Sequence, residues 1–177
     1  DEVMSPEGPA PDGEIEDYEI MVMGFDYGDL IDGTDGTAEQ DYQTQSANNG
    51  PSHKIITNED DMVLLKIGAA ADDEADGQQS MDADGDVVDV DDEDGFDPNA
   101  FMWQTNTPVD ITIPVMNMTG VDAKLVFYID WNNDGLFDGP NEMYSVIVPD
   151  NATEVTLADV IPPLTATLND DIGIRIR

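Results

Sequence analysis

The stretch AKLVFYIDWNNDGLFDGPNE, residues 123–142, decides the fold. Residues 123–131 are apolar, aromatic and β-branched enough to form a central strand. The Asn-Asp-Gly that follows must turn the chain. Around it the same grammar repeats. VDITIPV (109–115) alternates apolar and polar residues and is rich in β-branching. MYSVIVP (143–149) and TEVTLADV (153–160) are separated by Pro-Asp-Asn turn residues. DIGIRIR (171–177) puts Ile172, Ile174 and Ile176 on one face and Arg175 and Arg177 on the other. Helical periodicity is convincing nowhere, and many short strands with turn signals between them predict an all-β chain folded as a β-sandwich.

Toward the N-terminus the pattern thins. MVLLKIGA (62–69) reads as one more strand. Residues 23–61 are polar and rich in Gly and Asp, with the character of a long ordered loop, a length that is unusual unless the loop is functional or held by a ligand. Before it, APDGEIEDYEI (10–20) turns at Pro-Asp-Gly and enters a short run with Tyr18, Ile20 and Val22 on one face. A lone amphipathic strand cannot bury that face or pair its backbone by itself. The chain therefore divides into a lead with an orphan strand (1–22), a Gly/Asp-rich acidic segment (23–97) and a series of sandwich strands (98–177).

The charge balance is extreme: 41 Asp and Glu against five Lys and Arg, a formal net charge of -36. Self-repulsion of that size opposes compaction, yet 40% of the residues are hydrophobic, enough for a core. Divalent cations are the natural offset. The same charge disfavours binding to nucleic acid or an anionic membrane. There is no cysteine, so neither disulfides nor thiolate metal sites staple the chain. No stretch approaches the ~20 apolar residues of a membrane span, and no signal peptide is present, which a mature secreted chain would have lost. The acids are also unevenly placed. They crowd residues 72–97, while residues 98–128 hold only Asp110 and Asp122. A halophilic protein spreads acids over its surface; a calcium protein gathers them in glycine-punctuated loops.

The sharpest such loop is DWNNDGLFDGPNE (130–142). Calcium takes six to eight oxygens, which a tight turn supplies from alternate positions. Asp130, Asn132 and Asp134 fall at positions 1, 3 and 5 of an EF-hand-like loop, Gly135 at 6, the Leu136 carbonyl at 7 and Asp138 at 9. The match then slips, with Asn141 at position 12 and Glu142 one residue late, and the preceding segment is a strand rather than a helix. A plain hairpin turn would need two of these residues and not five. The second candidate is DADGDVVDVDDEDG (82–95), with Asp82, Asp84 and Asp86 spaced by two and Asp89, Asp91, Asp92, Glu93 and Asp94 following. Asp72, Asp73, Glu74 and Asp76 stand just upstream. The apolar Val87, Val88, Val90 and Phe96 would anchor this block, where a solvated linker would have no such residues. The third is Asp26, Asp29, Asp32 and Asp35, at intervals of three with glycines between, which turn chemistry explains equally well.

Catalysis is not expected. His53 is the sole histidine, which excludes a histidine-rich transition-metal site. An acid/base carboxylate pair needs one raised pKa in an apolar pocket, whereas these acids sit in glycine-rich turns. Trp103 and Trp131 read as core aromatics. NMT (117–119) and NAT (151–153) match the N-glycosylation acceptor pattern, which is short enough to arise by chance.

LVFYIDWNNDGLFDGPNE resembles the GEVED domain of large secreted and cell-surface bacterial proteins, and DYGDLIDGT…NGPSHKI…IGAAADDEADGQQSMDADGD…DDEDG resembles the acidic stretch that commonly precedes such a domain. The family's closing Gly-Glu-Val-Glu-Asp-Tyr is here GEIEDY, Gly13 to Tyr18. In the family that motif follows the RIR-type strand; here it comes first and GIRIR comes last. The resemblance implies an Ig-like β-sandwich with long calcium-clamped loops, binding several Ca2+ ions, at the bacterial cell surface or outside the cell. The inverted order leaves two arrangements open. The chain is a window of a tandem-repeat protein, or a processed subunit, cut after Arg177, whose residues 12–22 complete the sandwich of the next copy; return of the strand within one chain, with the long segment 23–97 wrapping back, is open as well. The second predicts a structural subunit of an extracellular filament or pilus-like fibre, joined head to tail by β-strand donation. Its interface would comprise Ile15, Tyr18, Ile20 and Val22 against Ile172, Ile174, Arg175, Ile176 and Arg177, with the arginines meeting Glu14, Glu16, Asp17 or Glu19. Its partners would be copies of itself, with cell-surface or matrix components beyond them. A repeat module of a calcium-dependent adhesin and an accessory domain of a secreted enzyme are the alternatives.

Overall fold

A computed structural model describes residues 24–33, 41–71, 73–81, 83, 85, 95–139, 141–168 and 170–177. Among these residues every sheet is antiparallel and there is no α-helix, only 3-10 turns such as Ser46–Asn48 and Pro98–Ala100. Strand β1 (Phe25–Asp26) pairs with β2 (His53–Lys54). Strands β3 (Leu65–Ile67), β4 (Val109–Asn117) and β7 (Glu154–Val160) form one three-stranded sheet in the order β3-β4-β7. Strands β6 (Met143–Val148), β5 (Ala123–Ile129) and β8 (Ile174–Ile176) form another in the order β6-β5-β8. The apolar run 123–131 thus supplies a central strand over Ala123–Ile129, as its composition predicts, and its last two residues enter the turn. MVLLKIGA supplies β3, which Leu65–Asn117 and Ile67–Val115 pairing adds to the sheet of β4.

Period-two alternation builds the core. Ile111, Ile113 and Val115 on β4, Leu125, Phe127 and Ile129 on β5, and Val155, Leu157 and Val160 on β7 are all buried in one cluster that both sheets share. Burying each such side chain stabilises the fold by about 1.5–3 kcal/mol. Phe96, from beyond the acidic block, meets the Phe127 ring edge-on at 5.2 Å. Trp131 is buried and Trp103 packs edge-on against it at 5.6 Å, so both tryptophans belong to the core. On β7 the inward residues Leu157 and Val160 are three apart. A register shift opposite Val109 to Ile111 accommodates the extra residue, with Asp159 at φ 55° and its amide donating to Asp110 Oδ1 at 3.0 Å.

Asn117 is fully buried, and its amide nitrogen donates to the carbonyls of Val121 and Val148, both at 2.9 Å. Folding therefore hides the first of the two glycosylation-like sequences.

The two long sides of the molecule differ. On one, β6 and β7 are joined through the Tyr144 hydroxyl, which accepts from the Ile161 amide at 3.2 Å. On the other, the edges β3 and β8 flank a groove of about 210 Å³ that reaches the core residues Val115, Leu125 and Val148. Asp26, His53 and Lys54 of β1 and β2 form part of its wall, and among the described strands none joins the sheet of β3 to that of β8.

Candidate metal centre

The turn after β5 brings buried charge to the end of the core. Asp130 is fully buried and Glu142 is 4% exposed. Asp130 Oδ1 accepts the Asp134 amide at 3.2 Å and Oδ2 accepts the Gly135 amide at 2.8 Å. Gly135 has φ 82°, a left-handed conformation that favours glycine and makes the sharp bend. Asn132 donates to Asp134 Oδ2 at 2.8 Å, and Asp134 Oδ1 accepts the Leu136 amide at 3.0 Å. Glu142 folds back so that Oε2 accepts the Gly139 amide at 2.7 Å. Asp138, in the same loop, is exposed.

Four carboxylates share this loop, Asp130, Asp134, Asp138 and Glu142. Burial raises the pKa of Glu142, and the charges of Asp130 and Asp134 raise it further, against the opposing pull of the Gly139 and Asn132 amides. The site thus concentrates negative charge where water cannot screen it fully. Asn133, at φ 57° and 6% exposed, has neither amide oxygen nor amide nitrogen hydrogen-bonded among the described residues. A buried amide left unpaired costs about 1–3 kcal/mol. Two buried carboxylates, a third beside them and an orphan amide oxygen are the hard-oxygen donors that calcium takes. Were calcium to bind at this loop, Asp130, Asp134, Glu142 and the amides of Asn132 and Asn133 are the groups that would hold it. Among the described residues no three His, Asp or Glu side chains form a ready-made metal cage. Asn133 escaped the sequence reading because alternate-position counting skips position 4; its left-handed Asn between two turn residues was the available signal.

The loop is tied to distant segments. The Tyr42 hydroxyl donates to Asp130 Oδ2 at 3.0 Å and accepts the Gly173 amide at 2.8 Å. Tyr42 is 2% exposed, and burial followed by the Asp130 charge pushes its pKa well up, keeping it a neutral donor. Its ring lies so close to the Gly173 Cα that a Cβ there would meet the hydroxyl at 2.5 Å. The Asp130 amide also donates to the Gly173 carbonyl at 3.0 Å. Phe137, from the same loop, stacks on Tyr42 at 5.3 Å and lies 5.5 Å from the Arg175 guanidinium carbon. Burial, then Arg177, lowers the Arg175 pKa to about 10, still charged at neutral pH.

The other predicted acids take different places. Asp32 is 4% exposed and accepts the amides of Thr44 and Gln45 and the Asn48 side chain. Asp29, 5% exposed, accepts the Gln78 and Gly85 amides. Asp76 accepts Ser46 through its amide and hydroxyl, and Glu74 accepts the Tyr27 amide at 2.8 Å. Asp26 lies in β1, and Asp73 stands against Gly24. These carboxylates brace three stretches of the acidic segment to one another through backbone amides. Asp35, Asp72, Asp82, Asp84, Asp86, Asp89, Asp91, Asp92, Glu93 and Asp94 lie outside the described residues, as do Ile15, Tyr18, Ile20 and Val22. Ile172, Ile174 and Ile176 pack against the core, and Arg177 extends β8 by exchanging hydrogen bonds with Val126.

Compared with family models, curated proteins and solved structures, the chain matches none.

Proposed function

We propose that this chain is the calcium-stabilised structural subunit of a bacterial extracellular filament, an Ig-like sandwich whose copies join head to tail by strand donation. The observation that carries this reading is the unclosed seam between β3 and β8, each the edge of its sheet among the described residues. An edge strand presents unpaired backbone groups, and here the gap also opens onto the apolar core. A strand added from another copy meets both needs at once. Repeated without closure, such a contact builds a fibre. Calcium at the 130–142 loop would neutralise Asp130, Asp134 and Glu142 and stiffen the loop against Tyr42 and Gly173, just before β8. The GEVED resemblance supplies the extracellular bacterial setting.

Electron microscopy of the purified chain, with melting curves recorded with and without a calcium chelator, tests the proposal. Fibres, and a melting temperature that falls on chelation, are expected. Isolated compact monomers with an unmoved melting temperature overturn it.

A further inference from the structure

Every Lys and Arg of the chain lines the β3–β8 groove: Lys54, Lys66, Lys124, Arg175 and Arg177. The single histidine, His53, lines it too, and among the described residues Asp26 is the only acid in its wall. The five bases come from β2, β3, β5 and β8 and the residue after β8, so no local run of sequence gathers them. In a chain with 41 acids, this is a concentration of positive charge around an apolar trough. Ile55, Leu65, Ile67 and Ile176 line the trough above the core residues at its floor. Such a site recognises an extended segment that is apolar on one face and acidic on the other.

One segment of this sequence has that chemistry. Within residues 13–22, GEIEDYEIMV, which hold no base, the run Asp17–Val22 puts Tyr18, Ile20 and Val22 on one face of an extended chain and Asp17 and Glu19 on the other. We propose that the groove is the acceptor site for residues 13–22 of a second copy, lying between β3 and β8 with Tyr18, Ile20 and Val22 on the core and Asp17 and Glu19 among the five cations. The assignment rests on the strand-donation reading above and specifies its site. A second copy suits the geometry better than the chain's own segment. Asp26, Tyr27 and Gly28 already form part of the groove wall, and Gly24 is held through its carbonyl by the Ile55 amide at 3.2 Å. In sequence a single residue, Met23, separates residue 22 from Gly24.

The chain has no cysteine, so a pair of introduced thiols reports the contact cleanly. Full-length Tyr18→Cys and Ile176→Cys proteins, mixed and oxidised, should give a dimer whose mapped disulfide joins position 18 of one chain to position 176 of the other. The double variant should give a covalent ladder. Cross-linking within single chains only overturns the second-copy assignment. Fibres that form without any disulfide between positions 18 and 176 overturn the groove and leave assembly standing. Dispersed monomers without a link overturn both. In a parallel arm, Lys66→Glu should slow fibre growth about tenfold and Asp17→Lys or Glu19→Lys in the same chain should restore it. Unchanged growth of a folded Lys66→Glu protein, checked by circular dichroism, overturns the electrostatic part.

Discussion

Tyr42 and Asp130 lie 88 residues apart and share a buried hydrogen bond of 3.0 Å. The same hydroxyl takes the amide of Gly173. One phenol therefore joins the acidic segment, the carboxylate loop and the approach to β8, three parts of the chain that no local pattern connects. The bond also explains how a fully buried carboxylate is tolerated in a protein so short of cations: neutral donors surround it.

Replacing Tyr42 by Phe keeps the ring stack on Phe137 and removes only the hydroxyl. Asp130 loses one donor and the Gly173 amide loses its acceptor, at a cost of about 1–3 kcal/mol. For a chain of this size that lowers the melting temperature by roughly 2–4 °C per kcal/mol. Calorimetry of the variant beside the parent measures it; an unchanged transition would mean that the hydroxyl carries no stability.

Glu142→Gln should have opposite effects with and without calcium. Without the ion, the change removes a charge that Asp130 and Asp134 repel, and stability holds or rises. With the ion, the variant loses a ligand. Free calcium at 100 times its dissociation constant stabilises the parent by about 2.7 kcal/mol, and most of that gain should vanish. Paired melting curves in chelator and in millimolar calcium read both signs.

Asn133→Gly keeps the left-handed backbone and deletes the orphan amide. In chelator the variant should melt at or above the parent, since an unpaired buried group has gone. In calcium the order should reverse. A variant less stable than the parent in chelator would show that the amide has a partner other than an ion.

Asp32 titrates below the usual carboxylate range. Burial alone would raise its pKa, but the amides of Gln45 and Thr44, the Asn48 side chain and Arg175 together outweigh it. A depressed folded pKa contributes stability above the unfolded value of 3.8, and that contribution is lost as pH falls through the folded pKa. Asp32→Asn should therefore lower stability at neutral pH and flatten the decline below about pH 4. Chemical denaturation from pH 7 to pH 2.5 follows the two slopes.

The sheets were legible because alternation is local. Ile111, Ile113 and Val115, or Leu125, Phe127 and Ile129, announce a buried face by spacing alone, and the turn after Asp130 by Asn-Asp-Gly. What spacing cannot announce is which distant groups meet. Tyr42 stands in a polar stretch, DYQTQ, with no period to mark it as core. Asp29 and Asp32 stand three apart in sequence, and nothing local shows that they accept amides from separate loops. Acids alone also carry no sign of the backbone donors that fold against them, such as the Gly135 amide on Asp130. Lys54, Lys66, Lys124, Arg175 and Arg177 are scattered in sequence, and only tertiary structure makes them neighbours.

That gathering has a consequence for crowding. Away from the seam, every charged side chain is acidic, so two copies approaching flank to flank repel at close range, over a screening distance of about 8 Å in physiological salt. Side-by-side clumping is thereby discouraged without any device on the individual strands, and thickening into bundles would require counterions to condense between neighbours.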